Sequence, residues 1–278
     1  MNSATAHDYA WIHTSSAFGY ALDVGYTLTL VRGVAPGAAL AVMDAEPHGT
    51  CTGTEELIEL QQTLFEETDY SGEACVAGAF SVPGEGGDWT LILQFDGGAG
   101  SWSRSLVPLS TGGRAVVHST NGGKPIDLFH WYEDGELRTT FEWASSREGS
   151  TPDDLNSVLR ELGFDLDEDE TGTGTPIDTK AGVFALAERM TGVRVTEDQL
   201  RTAEYQVGHV PEEPAEEWTA IVIDITDANG GRLYKEVSRT DVETAMARSR
   251  IEAEAPMVVR GPSQSPPQPA TQGPLPDQ

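Results

Sequence analysis

The chain has 278 residues, and its 45 Asp and Glu residues outnumber its 17 Lys and Arg residues, so its formal net charge is −28. Nucleic-acid binding needs basic side chains that displace counterions from phosphates, and this balance excludes a nucleic-acid partner. An anionic membrane surface would repel the chain for the same reason, so we expect no membrane partner. A basic protein partner, a cation or a high-salt milieu would suit this charge, and a compositional bias of the genome is a further explanation of it.

The chain also lacks the signals of export and membrane insertion. Its first residues hold neither a basic segment nor an apolar core, and no stretch approaches the roughly 20 apolar residues of a membrane helix. Cys51 and Cys75 are its only cysteines. We therefore expect a cytoplasmic protein with two reduced thiols.

In chain order, the first predicted elements are three helices and one strand. Apolar residues at helical spacing indicate the helices, and an alternating apolar pattern indicates the strand. The predicted helices cover residues 8–18, 36–43 and 54–65, and the strand covers 26–31.

Strands dominate the middle of the chain. They are predicted over residues 74–82, 88–95 and 114–119 and in a hairpin of 126–132 with 137–143. Alternation places Trp89, Leu91, Leu93 and Phe95 on one face of the second of these strands.

The hairpin is the clearest local signal. Asp134-Gly135 supplies the positive backbone angles that a tight hairpin turn demands. Alternation then predicts Leu137, Phe141 and Trp143 on one face of the returning strand.

Helices return after the hairpin, and a second hairpin follows them. The helices are predicted over residues 152–162, 183–190, 196–205 and 240–253, and the second hairpin pairs 218–226 with 232–237. The proline-rich residues 256–278 predict a disordered tail.

These elements predict an α+β fold with an antiparallel sheet of about five or six strands packed by helices. We expect a main domain over residues 1–205, a ββα extension over 206–255 that can dock on it, and the tail over 256–278.

One interval of the chain contains no basic residue. It lies between Arg32 and Arg104 and includes the Glu-rich helix predicted over 54–65. A solvent-exposed face that carries only negative charge suits a charged partner. The candidate residues of this face are Glu55, Glu56, Glu59, Glu66 and Glu67. Arg32 and Arg114 are candidate anion-binding residues, with pairing to local carboxylates as the alternative.

Residues 167–178 match the spacing of a calcium-binding EF-hand loop. Oxygen ligands stand at positions 1, 3, 5 and 12, which are Asp167, Asp169, Thr171 and Asp178. Gly174 replaces the usual apolar anchor of such a loop. A solvated acidic linker is therefore the competing interpretation.

Six short segments between residues 9 and 205 occur in a specific order and spacing, at 28–34, 88–92, 114–117, 133–137, 153–165 and 186–193. Together they resemble a family of uncharacterised actinobacterial proteins with a single domain of unknown function. The resemblance implies an α+β domain with an antiparallel sheet, and it brings no activity, cofactor or catalytic residue. It also implies a variable acidic linker at 167–178.

The sequence contains no nucleophile elbow and no complete phosphate-binding loop, so we expect neither an enzyme nor a cofactor. The leading hypothesis is a non-catalytic, cytoplasmic interaction module with an acidic face, of an immunity, antitoxin or regulatory type. The first alternative is a small-molecule sensor or enzyme with a cleft beside the sheet, in which Arg32 or Arg114 meets an anion. The second is a calcium-modulated binding protein.

Overall fold

The computed structural model describes residues 3–68, 74–122, 127–166, 177–211, 220–226, 231–238 and 240. Strands form the centre of the fold. They are β1 (Tyr26–Arg32), β2 (Glu46–Thr52), β3 (Ala74–Gly84), β4 (Gly87–Phe95), β5 (Arg114–Thr120), β6 (Asp127–Glu133), β7 (Glu136–Phe141), β8 (Glu204–Pro211), β9 (Ala220–Thr226) and β10 (Arg232–Ser238).

The first eight strands form one sheet in the order β2-β8-β3-β4-β1-β5-β6-β7, and each neighbouring pair is antiparallel. The α-helices are α1 (Ser16–Val24), α2 (Pro36–Val42), α3 (Gly53–Glu67), α4 (Ser103–Leu109), α5 (Asn156–Leu162), α6 (Thr179–Thr191) and α7 (Glu197–Thr202). Two 3-10 helices cover Ala6–His13 and Ala99–Ser101.

Helices bury both faces of the sheet, so the fold has three layers. The larger core holds Trp89, Leu91, Leu93 and Phe95, which confirms their predicted common face. Ile92, which points the other way in the same strand, belongs to a second core beneath α2 and α4. The predicted α+β class and antiparallel sheet are thus confirmed.

The predicted number of strands was wrong, because the sheet has eight strands and not five or six. One missed strand is β2, an edge strand whose residues are mostly exposed and include Pro47 and Gly49. Edge strands tolerate such residues, but in a sequence they indicate a loop. The other is β8, since the helix predicted over 196–205 ends at Thr202.

The boundary predicted after residue 205 falls inside β8, which pairs with both β2 and β3. The first compact unit extends from Met1 to Glu213, and the second comprises Pro214–Gln278. In the second unit β9 and β10 form the predicted second hairpin. The helix predicted over 240–253, apart from Thr240, and the tail predicted over 256–278 lie outside the described residues.

The β6–β7 hairpin has the predicted turn, with positive φ at Asp134 and Gly135. The predicted common face of its returning strand was wrong. The pairing with β7 shifts by one residue between Trp131 and Tyr132, and a one-residue shift exchanges the two faces of a strand. Phe141 therefore packs in the larger core and Leu137 against the second core. Trp143 lies beyond the end of β7 and is 60% exposed.

Within the described part of the chain, no helix has both the length and the apolar character needed to cross a membrane.

Candidate functional site

The outer face of α3 carries the five glutamates that the sequence predicts as a partner surface, and we call it the acidic face. The side chains of Leu57, Gln61 and Leu64 are buried on the inner face of the helix. At about 100° per residue, these three buried side chains span an arc of about 60° around the helix axis. The five glutamates span an arc of about 120° on the opposite side of the helix. The members of the acidic face are all exposed, and they are Glu55, Glu56, Glu59, Glu66 and Glu67.

The negative charge of the acidic face is not compensated locally. None of its glutamates forms an ion pair with any residue that the structure describes. Glu56 accepts a hydrogen bond from the backbone N–H of Thr52 at 2.6 Å, which closes the first turn of the helix. The remaining carboxylates are available to solvent or to a partner.

The negative charge of the acidic face is least favourable for helix stability at the C-terminal end of α3. Unpaired carbonyls give this end of a helix a partial negative charge, so acids there destabilise the helix and bases stabilise it. The last turn nevertheless carries Glu66 and Glu67 and no basic residue. This end of the helix therefore concentrates negative potential.

A cleft of about 610 Å³ lies beside this end of α3. Pairing between β3 and β4 begins at Gly78 and Leu93, and the same register would place Cys75 opposite Asp96. Both of these residues line the cleft, which opens where the two strands are no longer paired. The described lining residues are Tyr20, Gln62, Phe65, Glu66, Ala74, Cys75, Asp96, Gly97, Gly98 and Trp102.

Two buried glutamines bond to the separated ends of the strands. The Gln61 Oε1 atom accepts a hydrogen bond from the backbone N–H of Val76 at 2.6 Å. The Gln94 amide donates to Cys75 Sγ at 3.0 Å and accepts from the backbone N–H of Gly100 at 2.6 Å. Because buried polar groups are costly unless bonded, these contacts fix the wall of the cleft.

The glycine-rich loop after β4 is held by two further buried side chains. The Thr27 hydroxyl donates to the carbonyl of Gly97 at 2.8 Å, and the Thr29 hydroxyl donates to the carbonyl of Gly100 at 3.1 Å. These two hydrogen bonds from the sheet hold in place the loop that bounds the cleft.

Asp96 is the carboxylate at the base of this loop. Its backbone is left-handed, with a φ of 49°, and its N–H donates to the carbonyl of Gly25 at 3.0 Å. Partial burial raises the pKa of its carboxyl group, since surrounding protein replaces water that would stabilise the charge. No described basic residue offsets this cost with an ion pair.

The two predicted arginines lie outside the cleft and contact other parts of the protein. Arg32 donates to the carbonyl of Gly86 at 3.3 Å. Arg114 donates to the Glu133 carboxylate at 2.7 Å and to the carbonyl of Met190 at 2.9 Å. The structure therefore does not bring these two arginines together with the acidic face.

The predicted calcium loop falls mostly on residues 167–176, which lie outside the described residues. Asp178 is described, and both of its carboxylate oxygens have partners. One oxygen accepts from the backbone N–H of Ala181 at 3.1 Å at the start of α6, and the other lies 2.6 Å from His13 Nε2. Among the residues described, no three His, Cys, Asp or Glu side chains are placed to hold a metal ion.

Gln94, Asp96 and Trp102 were not predicted as site residues. In the sequence Gln94 occupies an ordinary position in an alternating strand, and Trp102 follows a glycine-rich stretch typical of a turn. A signal was present at Asp96, since Asp-Gly-Gly after a strand favours left-handed backbone. The three residues lie near one another because β3 and β4 separate at this point. No local sequence pattern predicts that separation.

No curated protein and no solved structure matches the chain. A family model described as a family of unknown function, DUF6461, matches residues 2–215, which include the whole eight-stranded sheet. The chain therefore belongs to this family of unknown function.

Proposed function

We propose that the protein is a non-catalytic, cytoplasmic interaction module whose acidic face binds a basic protein. The observation that carries the proposal is the arrangement of five exposed glutamates on one side of α3, without an ion pair to any described residue. A face of one sign speeds encounter with a partner of the opposite sign. An inhibitor of a basic protein, of an immunity or regulatory type, is one form of this function.

The experiment is copurification of partners from the native host at about 50 mM and about 300 mM salt. We expect a protein rich in Lys and Arg to be captured at low salt and largely lost at the higher salt. Changing all five residues of the acidic face to Gln should abolish its capture. The proposal fails if no basic protein is captured or if capture is indifferent to salt.

A matched control removes the same charge elsewhere. The control uses five of the exposed acids outside α3 that have no ion pair to a described residue. They are Glu85, Asp88, Glu142, Glu148 and Glu204. Changing these five to the corresponding amides should leave capture within about twofold of the native protein. Equal losses from both sets would mean that net charge, and not the acidic face, holds the partner.

The second candidate is a small-molecule sensor or enzyme, and the cleft beside α3 favours it because ligand pockets have volumes of this order. The anion-binding form of this candidate has less support, since Arg32 and Arg114 contact Gly86 and Glu133 instead. The large aromatic side chains Trp89 and Trp131 are packed in the core and are not among the described residues that line this cleft. A sensor would be stabilised against heat by its ligand without any protein partner.

The calcium-modulated variant stays a prediction on residues 167–178. Isothermal titration with millimolar calcium tests it, and an absence of binding heat would reject it.

A further inference from the structure

The described lining of the cleft contains no Lys or Arg, and Arg104 packs on one lining residue, Trp102. Every described lining residue precedes Arg104 in the sequence, and Arg32 is the only Lys or Arg before that position. Arg32 lies at the far end of β1 from the cleft, because β1 pairs Tyr26 with Phe95 at the cleft end and Arg32 with Trp89 at the other. No described lining residue carries a positive charge that could neutralise the carboxylates of the cleft.

Two carboxylates face this site from different elements. Glu66 belongs to the last turn of α3, where the end of the helix adds its own negative potential. Asp96 follows β4; its side chain is exposed, and nearby protein atoms displace only part of the water around its carboxylate. Because no described basic residue forms an ion pair with Glu66 or Asp96, a cationic ligand would gain charge-assisted contacts at this position.

Aromatic rings supply the other surfaces of the cleft. Tyr20, Phe65 and Trp102 are each partly buried in its lining, and ring faces attract organic cations. Trp102 already has such a contact, since the guanidinium carbon of Arg104 lies 4.5 Å from its ring centre. Tyr20 is held in place by Gln62, whose amide donates to its hydroxyl at 3.4 Å.

We propose that this cleft binds an organic cation, namely the guanidinium or ammonium group of an Arg or Lys side chain on the basic partner. This proposal rests on the proposed function, because the acidic face would bring the partner to the cleft. Carboxylates at Glu66 and Asp96 pair with the charge, and the rings of Tyr20 and Phe65 contact the alkyl chain and the cation.

The first test is a titration of the full chain with N-acetyl-arginine methylamide, followed by heteronuclear NMR. We expect saturable shifts of the amide signals of the cleft, among them Gly97 and Gly98. The uncharged isostere N-acetyl-citrulline methylamide should bind at least about tenfold more weakly. Equal binding of the two probes, or no saturable binding of the arginine probe, overturns the proposal.

The second test uses variants that remove one charge each. Asp96→Asn keeps the left-handed backbone, which Asn adopts readily, and should weaken binding of the arginine probe about tenfold. Asp134→Asn is the matched control, because Asp134 is exposed, has a φ of 52° and lies outside the described lining. Its binding should stay within about twofold of the native protein. Unchanged or tighter binding by Asp96→Asn contradicts a cation site.

The outcomes separate this proposal from the proposed function. If the acidic-face variant loses the partner while Asp96→Asn keeps both partner and probe, the function stands and the cleft proposal fails. If the probe binds the cleft and no basic partner exists, the acidic-face function fails. In that case agmatine, a free organic cation with the same headgroup, should bind as tightly as the arginine probe.

Discussion

At the scale of single residues, Gly53 determines how α3 begins. Its φ is 76°, and a Cβ atom built on it would lie 2.2 Å from the carbonyl oxygen of Arg201. Its N–H donates to the carbonyl of Ala203 at 2.9 Å. The acidic face is therefore positioned by a close backbone contact between the start of α3 and the end of α7.

We predict that Gly53→Ala destabilises the protein far more than Gly49→Ala. Gly49 has nearly the same φ of 77°, but no heavy atom lies within 4 Å of its built Cβ. Gly49→Ala should cost about 1–2 kcal/mol from backbone conformation alone, whereas Gly53→Ala adds a backbone clash and should cost at least about 3 kcal/mol. Urea unfolding measures both values, and equal costs would reject the close contact at Gly53.

The residue scale is also where prediction from sequence was least complete. The five glutamates were identified because an exposed charged helix face has a local signature in the spacing of its residues. Gln94 has no such signature, since its bond to Cys75 depends on the neighbouring strand β3. Asp96 has only the signal of a turn, since Cys75 and Glu66, which line the cleft with it, belong to other elements.

At the scale of elements, α3 should respond to charge in opposite ways at its two ends. We predict that Glu66→Gln stabilises the protein by about 0.3–1 kcal/mol and that Glu55→Gln destabilises it by a similar amount. Both residues are exposed, and Glu55 lies in the first turn while Glu66 lies in the last.

Thermal unfolding at low ionic strength measures these two effects, and added salt should reduce both. If both variants shift stability in the same direction, the effect of a glutamate does not depend on which end of α3 carries it. A stabilising Glu66→Gln would mean that the native residue is retained at a cost in stability, as expected of a binding residue.

Element by element, the sequence predicted most of the helices and central strands. Strong alternation located β4, and Asp134-Gly135 located the turn between β6 and β7. The β2 strand was missed because an edge strand has only one paired neighbour and little burial. The bulge near Tyr132 was missed because register depends on the partner strand as well as on the strand itself.

At the scale of the whole molecule, the buried His118 and the partly buried His130 should make folding sensitive to acid. Burial lowers the pKa of His118 to about 3 and that of His130 to about 4, from an ordinary value of 6.5. Below pH about 6.5 the unfolded chain binds protons at these positions and the folded chain does not. The contribution of these two histidines to stability is therefore greatest above pH 6.5 and falls towards pH 4.

We predict that each of these histidines costs up to about 1.4 kcal/mol of stability per pH unit between pH 6.5 and about 4. His130→Gln should remove one such contribution from the dependence of unfolding free energy on pH. An unaltered slope in His130→Gln would show that His130 is protonated in the folded protein.

The central claim is that α3 and the adjacent cleft form the binding surface, and hydrogen exchange with and without the captured basic partner tests it most directly. We predict slower exchange on binding in Gly53–Glu67 and in residues 96–102, with little change in the β6–β7 hairpin. Slower exchange at the hairpin, with exchange in α3 unaltered, would contradict the account.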